Sequence, residues 1–185
     1  MTGISKLYCG SVEAADVLRY SRHSAKLPSH LLQFSKDKKP VVVWNCTKAC
    51  NLKCRHCYSD SGMSCGEKGE LSTSQAMAMI EDLSSFGCPV LLFSGGEPCL
   101  RKDMVELAGF ARQKEMRVVL STNGTLLTKE FVSRLTDVGL SYIGISIDGN
   151  QATHDSFRGV NGAWDKALEG IRTAKEAGIK TGLRF

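Results

Sequence analysis

Five short apolar runs, none of which alternates with polar residues, constrain this chain more than anything else in it. Val41-Val42-Val43-Trp44, Pro89-Val90-Leu91-Leu92-Phe93, Arg117-Val118-Val119-Leu120 and Tyr142-Ile143-Gly144-Ile145-Ser146-Ile147 are largely β-branched, and Lys180–Phe185 begins a fifth. Runs of this kind predict strands buried on both faces. Between them lie stretches with helical periodicity. Ser72 with Gln75 forms a candidate capping box, Ala76, Met79, Ile80 and Leu83 follow as a stripe, and Gly87 closes the helix. Asp103 with Glu106 repeats that start ahead of Met104, Leu107, Ala108 and Ala111. Thr128 opens a third helix with Phe131, Leu135 and Val138 inward, and Trp164, Ala167, Leu168, Ile171 and Ala174 mark a fourth, ended by Gly178. Strands alternating with helices mean βαβ units with right-handed crossovers, so the expected class is α/β, with a parallel sheet or barrel. The fifth run stops at Phe185 with no helix behind it, so the expectation is a barrel cut in its fifth strand. Residues 1–40, aperiodic and containing Pro28, Pro40 and a charged Lys36–Lys39 run, read as a lead-in segment; 41–185 reads as the barrel portion.

No stretch approaches the ~18 apolar residues of a membrane span, and Met1–Gly10 lacks the apolar core of a secretory signal. The expectation is a soluble, cytoplasmic protein with no membrane partner. Of the net charge of +5, seven basic against three acidic residues place +4 in Met1–Asn45. Such a segment suits an anionic substrate or is simply a solvated surface. No basic run is interleaved with aromatics, so no nucleic-acid partner is expected. The 8 cysteines are a stronger signal, because cytosolic thiols tend to serve metals or redox chemistry.

Four of those cysteines fall in Cys46-Thr-Lys-Ala-Cys50-Asn-Leu-Lys-Cys54-Arg-His-Cys57, in the longest connection between strands. Three thiolates on one loop can wrap a cubane cluster and leave its fourth iron open to a small molecule. A zinc site is the alternative, with His56 or Cys46 as fourth ligand, although zinc patterns usually bring two separated pairs. Cys46 falls at the end of the first run and is read as a packed thiol, as is Cys88. Cys65 and Cys99 could each face a pocket.

Cys50-x3-Cys54-x2-Cys57 resembles the signature of the radical S-adenosylmethionine superfamily, and Gly95-Gly96-Glu97-Pro98 resembles that family's second motif. Ser121-Thr122-Asn123-Gly124 and Ser146-Ile147-Asp148-Gly149 close the third and fourth strands in the same way. All four motifs sit at carboxyl ends of strands, where α/β sheets and barrels place their sites. The resemblance implies a partial (β/α)6 TIM-like barrel, a 4Fe-4S cluster on Cys50, Cys54 and Cys57, and S-adenosylmethionine chelated by the free iron. One electron then cleaves the sulfonium to give a hydrogen-abstracting radical. In such an enzyme Gly95 and Gly96 let backbone approach the methionine moiety and Glu97 accepts from its ammonium group. Ser146 bonds the ribose or carboxylate, or is only a strand-end hydroxyl; Arg158 pairs with the cofactor carboxylate, or is a solvated side chain. Asn123 reaches the cofactor or serves its own Asn-Gly turn, and His56 stacks or bonds near the adenine. No catalytic side chain beyond the cluster ligands is identified.

The segments Ile4–Gly10, Leu18–Tyr20, Leu27–Ser35 and Lys38–Asn45 narrow the resemblance to radical enzymes of the siroheme-dependent heme pathway. These remove acetate side chains from 12,18-didecarboxysiroheme to give iron-coproporphyrin III, and carry a Cys-rich C-terminal extension of the SPASM type that is missing here. The implied partners are an iron tetrapyrrole and an electron donor such as flavodoxin or ferredoxin. Heme d1 enzymes and peptide-modifying radical enzymes are the alternatives within the class, and an iron–sulfur electron carrier outside it.

Overall fold

Parallel strands that follow one another in sequence and also in space must all be crossed on the same side if every crossover is right-handed. A computed structural model, describing residues 39–63 and 69–185, has that arrangement. The lead-in segment, Cys9 and Cys65 lie outside the described residues. The sheet runs β1 (Val42–Thr47), β2 (Val90–Gly95), β3 (Arg117–Thr122), β4 (Tyr142–Ser146) and β5 (Thr181–Arg184), all parallel and in sequential order.

Helices α1 (Thr73–Ser85), α2 (Met104–Gln113), α3 (Lys129–Asp137) and α5 (Ala163–Glu176) pack side by side on the crossover face, and α4 (Gln151–Arg158) packs on α5. The core lies between these helices and the sheet: Leu91, Phe93, Val118, Leu120, Ile143 and Ile145 meet Ile80, Met104, Leu107 and Leu135 with no exposed surface. Among the described residues no helix is long and apolar enough to cross a membrane.

Several helix ends follow the sequence. Ser72 Oγ accepts from the Gln75 N–H while Gln75 Oε1 accepts from the Ser72 N–H, completing the capping box of α1. Thr128 caps α3 by accepting from the Phe131 N–H. Asp103 departs from expectation: its backbone is not extended and its side chain caps nothing. Its carboxylate instead accepts from Thr73 Oγ1 and pairs with Arg101, tying the starts of α1 and α2 together.

Burial on both faces does not hold for the sheet as a whole. Val41 and Val43 are 57% and 58% exposed, because β1 is covered by helices on one side only. The face without helices is where the strand ends open into a cavity.

Candidate active site

The loop after β1 begins at a bulge. Asn45 pairs with Ser94 and Thr47 with Gly95, so Cys46 is the extra residue. Its side chain turns into the core at 2% exposure, and burial pushes its thiol up to about 12, against the lowering effect of Arg101. A thiol there packs in the core, outside the cavity that Cys50, Cys54 and Cys57 line. Thr47 Oγ1 then accepts from the Ala49 N–H and donates to Glu70, turning the chain away from the sheet.

Both flanks of that loop are stapled by backbone. On one flank, Gly96 and Glu97 donate their N–H groups to the Thr47 and Ala49 carbonyls, each at 2.8 Å. A Cβ on Gly95 would stand 2.4 Å from the Thr47 oxygen, and one on Gly96 2.3 Å from the Ala49 oxygen. The side-chain positions of both glycines therefore face the loop, and the room they create admits its backbone. On the other flank, the Lys53 and Arg55 N–H groups donate to Arg158 and Phe157 carbonyls at the end of α4. Those carbonyls have no partner within a helix, and the loop supplies one. Below, Leu52 is buried with Cys50 and Ala163, fixing the loop to the start of α5.

Helix α4 was not among the helices the periodicity indicated. It has no apolar stripe, and its ends are its only marks: Asn150 accepts from the Thr153 N–H, and Gly159 sits at φ +67° as a left-handed stop.

Glu97 is placed differently from the expectation. It has no exposed surface and its carboxylate is fully engaged by protein: Oε1 accepts from Thr122 Oγ1 (2.7 Å) and the Cys99 N–H (3.0 Å), Oε2 from the Asn123 N–H (2.8 Å). Burial pushes its carboxyl above the usual range in spite of these donors. It braces the end of β2 to the end of β3 behind the cavity wall. Cys99 is drawn into the same brace through Thr122, at 3.6 Å, and away from the cavity.

Asn123 serves its turn, accepting from the Thr125 N–H and hydroxyl, and also donates Nδ2 to Asn51 in the loop at 2.9 Å. Arg158 is buried and not solvated. Its Nε lies 2.7 Å from Asp148 Oδ2 as a charge contact without hydrogen-bond alignment, and its Nη1 is 3.6 Å from Cys54 Sγ. Behind it, His154 has no exposed surface and its Nδ1 accepts from the Asp148 N–H at 3.1 Å. Burial and the Arg158 charge hold that imidazole below its ordinary pKa, in the neutral form such an acceptor requires. Asp148, His154 and Asn51 received no role from the sequence, although Asp148 lay within a quoted strand-end motif and Asn51 within the cysteine run.

All of this surrounds a cavity of about 310 Å³ at the carboxyl ends of the strands. Cys50, Cys54, Cys57, His56, Gly95, Gly96, Asn123, Ser146 and Arg158 line it, so every expected site residue except Glu97 reaches it. The His56 and Phe157 rings lie 5.5 Å apart at its rim. Each of the three sulfurs has a donor directed at it: the Leu52 N–H at Cys50 and the Ser61 N–H at Cys57, both at 3.5 Å, and Arg158 at Cys54. Donors of this kind stabilise thiolates, and three thiolates facing one cavity fit an iron–sulfur cluster. Around Cys57 the Ser59 and Ser61 donors outweigh burial and hold the thiol below its ordinary pKa, whereas burial pushes Cys50 up.

A sequence model of the radical SAM superfamily matches residues 44–184. Fe-coproporphyrin III synthase of Methanosarcina barkeri is 62% identical over 185 residues, which are all of this chain and 46% of that protein. Pre-heme d1 synthase of Dinoroseobacter shibae is 50% identical over 147 residues, 80% of this chain and 36% of that protein. The chain thus spans less than half the length of either relative. The structure of Streptococcus suis SuiB bound to its precursor peptide SuiA superposes with a TM-score of 0.65 at 18% identity, over 77% of this chain and 31% of that one, and shows the shared fold. The α/β class expected from the strand order and the TIM-like partial barrel that the resemblance implied both stand, and the chain belongs to the radical SAM superfamily, whose cofactors are a 4Fe-4S cluster and S-adenosylmethionine.

Proposed function

We propose that this chain is part of a radical enzyme of heme biosynthesis that removes acetate side chains from 12,18-didecarboxysiroheme to give iron-coproporphyrin III. The observation that carries the reading is the 62% identity to Fe-coproporphyrin III synthase along the whole chain, lead-in included. In this reading Cys50, Cys54 and Cys57 hold the cluster as thiolates, and Gly95, Gly96, Asn123, Ser146 and His56 hold S-adenosylmethionine in the same cavity. When bound, the two supply a reductive cleavage that yields a radical able to take a hydrogen atom from the substrate. Arg158 steadies the Cys54 thiolate with its charge, Asp148 and neutral His154 fix Arg158, and the Glu97 brace keeps the β2 and β3 ends at one spacing. The electron comes from a cytoplasmic donor such as flavodoxin or ferredoxin.

The test uses full-length protein reconstituted anaerobically with iron and sulfide. Incubation with 12,18-didecarboxysiroheme, reductant and S-adenosylmethionine is expected to show mass loss corresponding to two acetate groups. Cleavage of S-adenosylmethionine with no change in the tetrapyrrole overturns the substrate assignment. Cys50→Ala, Cys54→Ala and Cys57→Ala are each expected to lose the reduced-cluster electron spin resonance signal, and Cys46→Ala to keep it; the reverse pattern overturns the ligand set.

A further inference from the structure

The cavity lining includes one arginine that the site described above does not use. Ser94, Ser121, Ser146 and Arg184 line the cavity from the sheet face without helices, next to the three thiols. Strand β5 places Arg184 beside Ser146 and sends its side chain back across β4. There it passes over Gly144, where a Cβ would come within 2.5 Å of the Arg184 Nε and 3.0 Å of its Cζ. Beyond β4, Nη1 donates to Ser121 Oγ on β3 at 2.5 Å. A missing side chain and a hydroxyl two strands away thus hold the guanidinium in the cavity wall.

Among the described residues Arg184 has no carboxylate partner, in contrast to Arg101 and Arg158, which are paired with Asp103 and Asp148. A cation fixed in a cavity that a large ligand will cover must find a counter-charge or bear the cost of desolvation. A planar guanidinium with Nη1 engaged still presents Nη2, and carboxylate is the anion its geometry matches. We infer that Arg184, cradled by Gly144 and oriented by Ser121, binds a carboxylate side chain of the substrate and so sets how the substrate lies against the cavity. This rests on the tetrapyrrole reading, whose substrate carries several such groups.

Two carboxylates enter this cavity in that reading, the substrate's and the methionine carboxylate of S-adenosylmethionine, and the experiment separates them. Full-length reconstituted protein is titrated anaerobically with iron-coproporphyrin III and with its tetramethyl ester, followed by the porphyrin absorbance, and separately with S-adenosylmethionine, followed by the cluster's electron spin resonance. Wild type is expected to bind the free acid more tightly than the ester. Arg184→Gln is expected to weaken the free acid on the order of 10- to 100-fold and to leave the ester and S-adenosylmethionine unchanged. Arg184→Lys should recover part of the loss, since it keeps the charge but not the fork. Weaker S-adenosylmethionine binding in Arg184→Gln with porphyrin binding intact overturns the inference in favour of the cofactor carboxylate. No change in either overturns it in favour of a partner within the protein. If wild type binds neither porphyrin, the tetrapyrrole reading itself fails, and this inference with it; if wild type binds acid and ester equally, the inference fails alone.

Discussion

On the helix-covered face of the sheet, Leu91, Phe93, Val118, Leu120, Ile143 and Ile145 are wholly buried, each packed against others of its kind. On the opposite face the same strands present Asn45, Ser94, Ser121, Gly144, Ser146 and Arg184 at their carboxyl ends, with Leu92 and Val119 further back. The division therefore runs across the sheet and also along it. On the open face Val43, Leu92 and Val119 precede Asn45, Ser94 and Ser121 in β1, β2 and β3, with Arg117 exposed at the start of β3. A parallel sheet whose helices all lie on one side can devote one face to stability and the far end of the other to chemistry. If so, substitutions on the two faces should fail in different ways.

Phe93 and Ser94 are adjacent in β2 and point to opposite faces, so they test this most directly. Phe93→Ala should lower the unfolding free energy by about 3–5 kcal/mol, because it opens a cavity in close-packed surroundings. Ser94→Ala should change it by less than about 0.5 kcal/mol. Urea unfolding of the full-length protein measures both, and equal losses would break the distinction between the faces.

At the loop flank beside Gly96 the chemical end is also structurally unforgiving. An added methyl would press on the Ala49 carbonyl, and the staple between Glu97 and Ala49 leaves that backbone little room to retreat. Gly96→Ala is expected to cost about 1–3 kcal/mol, as overpacking does. It should also lower iron content on reconstitution, since Cys50 follows Ala49 directly. Full iron content at wild-type stability would mean that the loop can move as a unit, and that its attachment to α4 is enough to hold it.

How far the sequence reveals these two faces depends on the physics that marks each. Burial leaves a trace, as continuous apolar runs in the five strands and as a periodic stripe in four of the five α-helices among the described residues. Helix α4 buries little apolar surface and left only Asn150 and Gly159, nine residues apart, as signs. The carboxyl-end residues were legible as motifs, which gave their location but not the direction each side chain takes. Glu97 shows the gap: it follows the cavity-lining Gly95 and Gly96, yet Thr122 and two backbone N–H groups hold its carboxylate behind the wall. Gly95 and Gly96 were read as room for a ligand, and the oxygens facing them belong to the protein's own loop. Arg184 carried no signal, because its position depends on a gap at Gly144 in a neighbouring strand.

The helix layer also holds a pH-dependent contact, smaller in effect than Phe93→Ala or Gly96→Ala. Asp155 accepts from the Gly162 and Trp164 N–H groups at 2.7 and 2.8 Å, capping the start of α5 on which the loop's Leu52 rests. The Trp164 N–H and then the Gly162 N–H hold its carboxyl below the ordinary value of 3.8. A carboxyl depressed in the folded state contributes stability that is complete above its unfolded pKa and lost as pH falls through the folded one. Asp155→Asn should therefore lower the melting midpoint of cluster-free protein at neutral pH, and the gap to wild type should close below about pH 4. A gap that is constant with pH would show that the carboxylate's charge is not what holds the cap.

Ser146 makes the finest division, because it shares β4 with Ile145 but faces the cavity, half-buried, beside Arg184. Its position offers a hydroxyl to whatever fills the cavity, and its removal leaves no hole in the core. Ser146→Ala should shift stability by less than about 0.5 kcal/mol, and if the hydroxyl holds S-adenosylmethionine it should weaken that ligand by roughly 5- to 10-fold, the worth of one neutral hydrogen bond. Isothermal titration of reconstituted protein measures the binding and urea unfolding the stability. A loss of stability with unchanged binding would place Ser146 with Ile145 and its helix-facing neighbours, and would move the boundary between the two functions of the sheet to the end of the strand itself.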